Sequence, residues 1–187
     1  AKDMDMAVTE LYYLVRQHFY TNYDHCLDLL GVSDIIINGS DGHIVSTLSS
    51  DINPTSSIAQ YHWTQSYKII GQCNGCIGRA AVSTALTDAE KTMYEAKARF
   101  FRAFCYRTLA YLYGGVPLQL EEVTQPKTDY TRETKEKTLS TAIEDAKFAA
   151  NNLPAIETVK DGEISSAAAY FLLGDLYLAA GDNRNAI

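Results

Sequence analysis

The chain has 187 residues, 16 basic and 23 acidic side chains, a formal charge of −7, and 47% apolar residues. That balance suits a globular protein burying roughly 70% of its unfolded surface, and it excludes disorder and low complexity. The acidity argues against a nucleic-acid partner, whose phosphates need clustered Lys and Arg.

No targeting stretch opens the chain at Ala1-Lys2-Asp3. The most apolar segment, Ile164 to Ala180, is shorter than the ~20 residues a bilayer span needs. The segment itself is therefore expected to be soluble. A first helix is expected from about Met4 to Leu30, ended by Gly31, because Val8, Leu11, Val15, Phe19, Cys26 and Leu30 recur at helical spacing. His18 and His25 lie seven apart on it. With no HExxH pattern and no third ligand, they read as surface histidines and not as a metal pair.

Periodicity disappears between residues 33 and 57, where Asn38-Gly39, Asp41-Gly42 and Asn53-Pro54 mark turns. Loops of that length inside a domain are often functional. The stretch 38–43 fails the calcium-loop pattern, because Ile37 and Gly39 stand where Asp or Asn is required. A second helix follows through Trp63, Tyr67, Ile70, Asn74 and Ile77. Gly71, Gly75 and Gly78 on it suggest close helix contact. Cys73 and Cys76 have CxxC spacing. Without a preceding strand or a second pair, they read as two buried thiols one helical turn apart.

Thr87-x-x-Glu90 is a capping box that opens a third helix, which ends at Gly114-Gly115. An extended link with Pro117 and Pro126 leads to Thr134, the expected N-cap of a fourth helix that stops at Pro154. Ser165 is expected to cap a fifth helix ending at Gly181. The reading is all-α. The central residues 63–113 carry 7 basic and 3 acidic groups between two acidic flanks, so they either pack against those flanks or form a solvated face. The pairs Glu121-Glu122 and Glu144-Asp145 read as solvated charge, since neighbours on a helix point in different directions. No nucleophile elbow, phosphate loop or dinucleotide fingerprint is present, and neither enzyme activity nor a cofactor is expected.

Leu173-Gly174-x-x-Tyr177, then Gly181 and Ala186, fit a tetratricopeptide pattern. In that reading Gly174 admits a partner helix, Tyr177 fills the space beside it, and Ala186 opens the next helix. Ala103-x-x-Tyr106 with Ala142, Ala146, Ala149 and Pro154 makes a looser copy. Stacked repeats need a following neighbour, so the chain is expected to be the amino-terminal part of a longer protein.

The run from Glu95 through Arg99-Phe100-Phe101-Arg102-Ala103 to Tyr113-Gly114-Gly115-Val116-Pro117-Leu118 closely resembles the signature helix of SusD/RagB-like outer-membrane nutrient-binding lipoproteins. Thr131-Arg132, the helix from Ile143 to Ala149 with Leu153-Pro154, and Ala168-Ala169-Tyr170 through Gly181-Asp182 follow in the family's order. Trp63-x3-Tyr67-x2-Ile70-x3-Asn74 is similar to its preceding helix. The resemblance covers about residues 60–187 well and 4–59 weakly.

The resemblance implies an all-α, tetratricopeptide-like helical repeat array with long loops between helices, forming one amino-terminal domain over 1–187. It implies a carboxy-terminal half beyond this segment and a lipid anchor upstream of residue 1. It also implies capture of a glycan or oligopeptide at the outer-membrane surface and a SusC-like TonB-dependent transporter as partner. The competing reading is a tetratricopeptide scaffold for protein partners with no small ligand. The loop at 33–57 and the insertion at 114–133 favour the first, since simple scaffolds keep short turns. Sugars present apolar faces edged by hydroxyls, so a site is expected where aromatics meet amides and carboxylates. Trp63 and Tyr61, with Asp51 and Asn53 some ten residues before them, are the candidate ligand-binding residues; the alternative is that Trp63 packs against helices, as its match to the family's helix start suggests.

Overall fold

The computed structural model describes residues 2–21, 53, 55, 57–160 and 162–186. Among the described residues there are five α-helices: α1 (Lys2–Arg16), α2 (Ser57–Val82), α3 (Asp88–Tyr113), α4 (Lys135–Asn152) and α5 (Ser166–Ala179). No strand occurs among the described residues, as the all-α reading expects. None of the described helices is long and apolar enough to cross a membrane. The described residues divide between Leu11 and Tyr12, and again between Gln65 and Ser66, into two compact units.

Helix α1 passes directly into a π-helical turn, Gln17–Thr21. The expected continuation to Leu30, together with His25, Cys26, residues 38–43 and most of the loop at 33–57, lies outside the described residues. His18 is not the surface residue the sequence suggests. It is 2% exposed, because Leu11, Leu14 and His18, spaced three and four apart, share one face. Its ring centroid lies 4.0 Å from that of Phe19, 5.2 Å from Tyr61 and 5.1 Å from His62. No group of three side chains able to hold a metal ion occurs among the described residues.

Helix α2 buries Ile69, Ile70, Cys73, Cys76 and Ala80. Its glycines correct the expectation of close helix contact. A Cβ on Gly71 or Gly78 would meet nothing within 4 Å. Only Gly75 is crowded, and its neighbour is the Glu122 side chain, 3.3 Å from the added carbon.

Helix α3 opens with the expected capping box. The Glu90 N–H donates to Thr87 Oγ1 at 3.3 Å, and the Thr87 N–H donates to the Glu90 carboxylate at 2.8 Å. Those bonds to Thr87 hold the Glu90 carboxyl below the usual carboxylate range. The helix ends at Gly114, whose φ of 75° is the left-handed conformation glycine adopts without strain. Thr134 caps α4 as expected, accepting from the Lys137 N–H at 3.1 Å.

Small side chains bring α3, α4 and α5 together. Ala96, Ala149, Ala150, Leu153 and Ala169 form one buried cluster, with Met93, Phe100, Phe148 and Ile164 packed around it. Residues with no side chain beyond Cβ let backbones approach closely, as helical repeats require. Ser165 stands at the N-cap of α5 but makes no side-chain capping bond. The Ser166 N–H donates instead to Pro154 O at 2.8 Å, so the loop carbonyl satisfies a first-turn donor.

The repeat motif also needs correction in detail. The most buried residues of α5 are Ala169, Leu172 and Leu176, and not Leu173, Gly174 and Tyr177. Gly174 admits a turn and not a helix: a Cβ there would sit 3.3 Å from the Ala186 carbonyl. The Asp182 carboxylate folds that turn by accepting from the Asn185 side chain at 2.6 Å.

The basic middle of the chain packs against acidic groups. Arg79 meets Glu122, Lys97 meets Glu163, Arg102 meets Asp145 and Arg107 meets Asp175. Cys73, Cys76 and Cys105 are free and buried, as the sequence suggested for the CxxC pair. Burial pushes the Cys76 thiol up to about 11 and those of Cys73 and Cys105 further. Since the thiolate is the nucleophile, iodoacetamide at neutral pH is expected to leave all three unmodified in the native protein. Full alkylation should appear only in denaturant, as read by peptide mass spectrometry. Rapid native labelling at any of the three would show that its helix opens locally.

Candidate functional site

Two places gather polar and aromatic groups suited to a ligand. The first is the start of α2 and the turn before it. Tyr61 and Trp63 are half-buried within one turn of this helix, and their two-residue spacing sets them on different faces. The Tyr61 ring sits 5.2 Å from His18 and 5.6 Å from His62, so a small aromatic cluster supports it. Asn53 is exposed and closes a local turn, its side-chain oxygen accepting from the Thr55 N–H at 2.9 Å and hydroxyl at 2.6 Å. That carbonyl serves the backbone first. Asp51 lies outside the described residues.

The second is the link between α3 and α4, and residue types alone did not single it out. The chain leaves α3 at Gly115 and returns beside it at Glu133. The Glu133 N–H donates to Val116 O at 3.3 Å, and the Arg132 guanidinium donates to the Tyr113 and Gly115 carbonyls. Between these points, residues 117–121 are fixed from below by side chains of two helices, α2 and α3. The Tyr67 hydroxyl of α2 donates to Pro117 O at 2.6 Å. The Asn74 amide donates to Gln119 O at 3.0 Å and to Glu121 O at 3.1 Å. Tyr106 of α3 accepts from the Gln119 N–H at 2.6 Å and donates to Gln119 O at 2.9 Å. Burial pushes both tyrosine hydroxyls well above their ordinary range, so they remain donors at any physiological pH.

Arg102 joins these bonds to α4. Its Nε and Nη2 donate to the two carboxylate oxygens of Asp145 at 2.7 and 2.8 Å, a bidentate pair. Its Nη1 donates to Asn74 Oδ1 at 2.7 Å and to Leu120 O at 3.1 Å. Burial works against the Arg102 charge, and the bonds and charge of Asp145 outweigh it, holding the guanidinium above its usual value. Asp145 is 2% exposed, which corrects the reading of Glu144-Asp145 as solvated charge. Glu144 is exposed and fits that reading; Asp145, its neighbour around the helix, faces inward. Glu121 and Glu122 are exposed as expected, and Glu122 pairs with Arg79 at 2.7 Å.

The outer half of the link forms an open groove of about 500 Å³ from Leu118 to Lys127, closed on one side by Tyr130. Lys127 Nζ lies 5.3 Å from the Tyr130 ring centroid, within cation–π range. Nothing in the spacing of these residues announces a groove. The only sequence signal was the length of the 114–133 insertion between two repeat helices.

Helices packed through alanines, with a long excursion pinned onto them, define a tetratricopeptide-like repeat protein. The profile of the SusD-like family, described as starch-binding and associating with the outer membrane, matches residues 7–178. The chain belongs to that family.

Solved structures share the fold. A laminarin-binding SusD-like protein is 23% identical, with a TM-score of 0.81 over 100% of this chain and 41% of its own. A SusD-like carbohydrate-binding protein from Bacteroides fragilis NCTC 9343 is 22% identical, with a TM-score of 0.83 over 99% of this chain and 38% of its own. Surface glycan-binding protein A from Bacteroides fluxus is 18% identical, with a TM-score of 0.79 over 97% and 40%. The chain thus spans about two fifths of the length of each of these proteins. No curated protein matches the sequence.

Proposed function

We propose that the protein captures glycans at the outer-membrane surface, where a lipid anchor holds it, and delivers them to a SusC-like TonB-dependent transporter. The match of the SusD-like profile over residues 7–178 carries this reading. The structural relatives that bind laminarin, carbohydrate and surface glycan support it. In this reading the present helical domain is the amino-terminal portion of the whole, and the ligand is held without being cleaved. Tyr61 and Trp63 are then the aromatic contacts to the sugar, and Asn53 and Asp51 its polar contacts.

Affinity electrophoresis through gels containing soluble starch, laminarin or xyloglucan tests the proposal. At least one polysaccharide is expected to retard the protein, and chromatography should find no shortened product. Tyr61→Ala should weaken retardation about tenfold, the loss of one aromatic contact of about 1–1.5 kcal/mol, with circular dichroism unchanged. Retardation by none of them, together with capture of a defined protein partner, would favour the repeat-scaffold reading instead.

A further inference from the structure

We propose that the groove on the α3–α4 link is a binding site for a neutral oligosaccharide, separate from the aromatic pair at the start of α2. This rests on the glycan-binding reading above and adds a place and a charge class to it. Three observations carry it.

The groove is built in advance of any ligand. Its inner wall, residues 117–121, is fastened by backbone bonds from Tyr67, Asn74, Arg102 and Tyr106, and two of those side chains, Asn74 and Tyr106, are at most 1% exposed. A wall held this way loses little conformational entropy on binding, the main cost a flexible loop would bear. Its volume of about 500 Å³ falls within the roughly 300–1,000 Å³ of ordinary small-molecule pockets.

The lining chemistry suits a sugar. Tyr130 offers an aromatic face beside apolar Leu118 and Val123, which match the C–H face of a pyranose ring. Thr124 and Gln125 add a hydroxyl and an amide that both donate and accept, and Glu121 adds an accepting carboxylate, as a polyhydroxyl edge requires. Gln125 and Glu121 are exposed, so neither is withdrawn into the core.

The charges cancel. Glu122 is neutralised by Arg79 at 2.7 Å, leaving one carboxylate, Glu121, and one ammonium, Lys127. Lys127 in turn lies against the Tyr130 ring. The groove therefore has no surplus cation with which to hold a uronic acid or sulfated sugar.

Hydrogen–deuterium exchange on the protein, with and without maltoheptaose, laminarihexaose or a xyloglucan heptasaccharide, tests the assignment. Amides of residues 118–130 are expected to gain protection with at least one of these sugars. Tyr130→Ala should weaken that binding at least tenfold and Gln125→Ala about threefold, with unchanged melting temperatures. Gln125 serves as the second variant because its side chain is exposed and its loss should not disturb folding. Oligogalacturonate should give no protection.

Sugar binding that protects residues 57–65 but not 118–130, or that survives both substitutions, would overturn this inference and leave the broader reading standing. Binding of none of the neutral sugars would overturn both. Protection by oligogalacturonate, or by short neutral peptides in place of sugars, would overturn the chemical class.

Discussion

Replacing Arg102 by methionine is expected to lower the unfolding free energy by about 3–5 kcal/mol, the usual cost of removing one partner of a buried ion pair. Asp145, 2% exposed in the native protein, would lose both bonds of its bidentate pair and keep only the longer one from Arg99 Nη1 at 3.3 Å. Asn74 Oδ1 and Leu120 O would lose a donor at the same stroke. For a chain of this size that corresponds to roughly 6–20 °C in melting temperature. Urea denaturation followed by circular dichroism measures it. The double substitution Arg102→Met with Asp145→Leu should recover much of the loss, since apolar replacement of a whole buried pair is often neutral. Two equal and additive single losses would show that the charges do not stabilise each other. The single Arg102→Met variant should also loosen residues 117–121, visible as faster amide exchange there before global unfolding.

Gly115→Ala is the second severe change expected. An added Cβ would lie 1.9 Å from Glu133 O and 2.7 Å from Thr134 C, both backbone atoms that cannot rotate away. Either the returning strand of the link moves, taking the Thr134 cap of α4 with it, or the end of α3 unwinds. The loss should reach or exceed the upper end of the about 1–3 kcal/mol usual for overpacking. Gly71→Ala makes the control, because the space beside Gly71 is open and alanine is the better helix former. Thermal melts of the two variants should diverge in sign. A Gly115→Ala protein that melts with the wild type would mean that the link does not close against α3 in solution.

The contrast between those two glycines shows what a sequence can and cannot disclose. The capping box at Thr87 and Glu90 was readable because both partners lie three residues apart and their pairing is a property of one helix turn. The ends of α3 and α4 were readable for the same reason, through Gly114 and Pro154. Arg102 and Asp145 are 43 residues apart, and helical periodicity says which face each occupies without saying what lies opposite. His18 looked like a surface residue because the chosen stripe ran through Val15, when the buried one runs through Leu14. Gly71, Gly75 and Gly78 shared a spacing but not an environment, since that depends on where residue 122 returns. The family resemblance supplied the architecture, and local chemistry the helix ends. The groove belongs to neither, because its walls come from a segment with no period and its anchors from two helices far from it in sequence.

Helix α5 bears on how the chain behaves in bulk. Tyr170 is 56% exposed, Phe171 83% and Leu178 59%, on a helix with no basic residue and a single acidic one. Apolar side chains presented together in this way promote contact between molecules. The opposing force is the formal charge of −7, which keeps molecules apart only over the Debye length, about 30 Å at 0.01 M salt but 8 Å at 0.15 M. The colloidal behaviour of this segment is thus expected to follow ionic strength: dilute buffer should keep the molecules dispersed, and physiological salt should lower the electrostatic barrier to association through α5, as light scattering at the two salt concentrations would read.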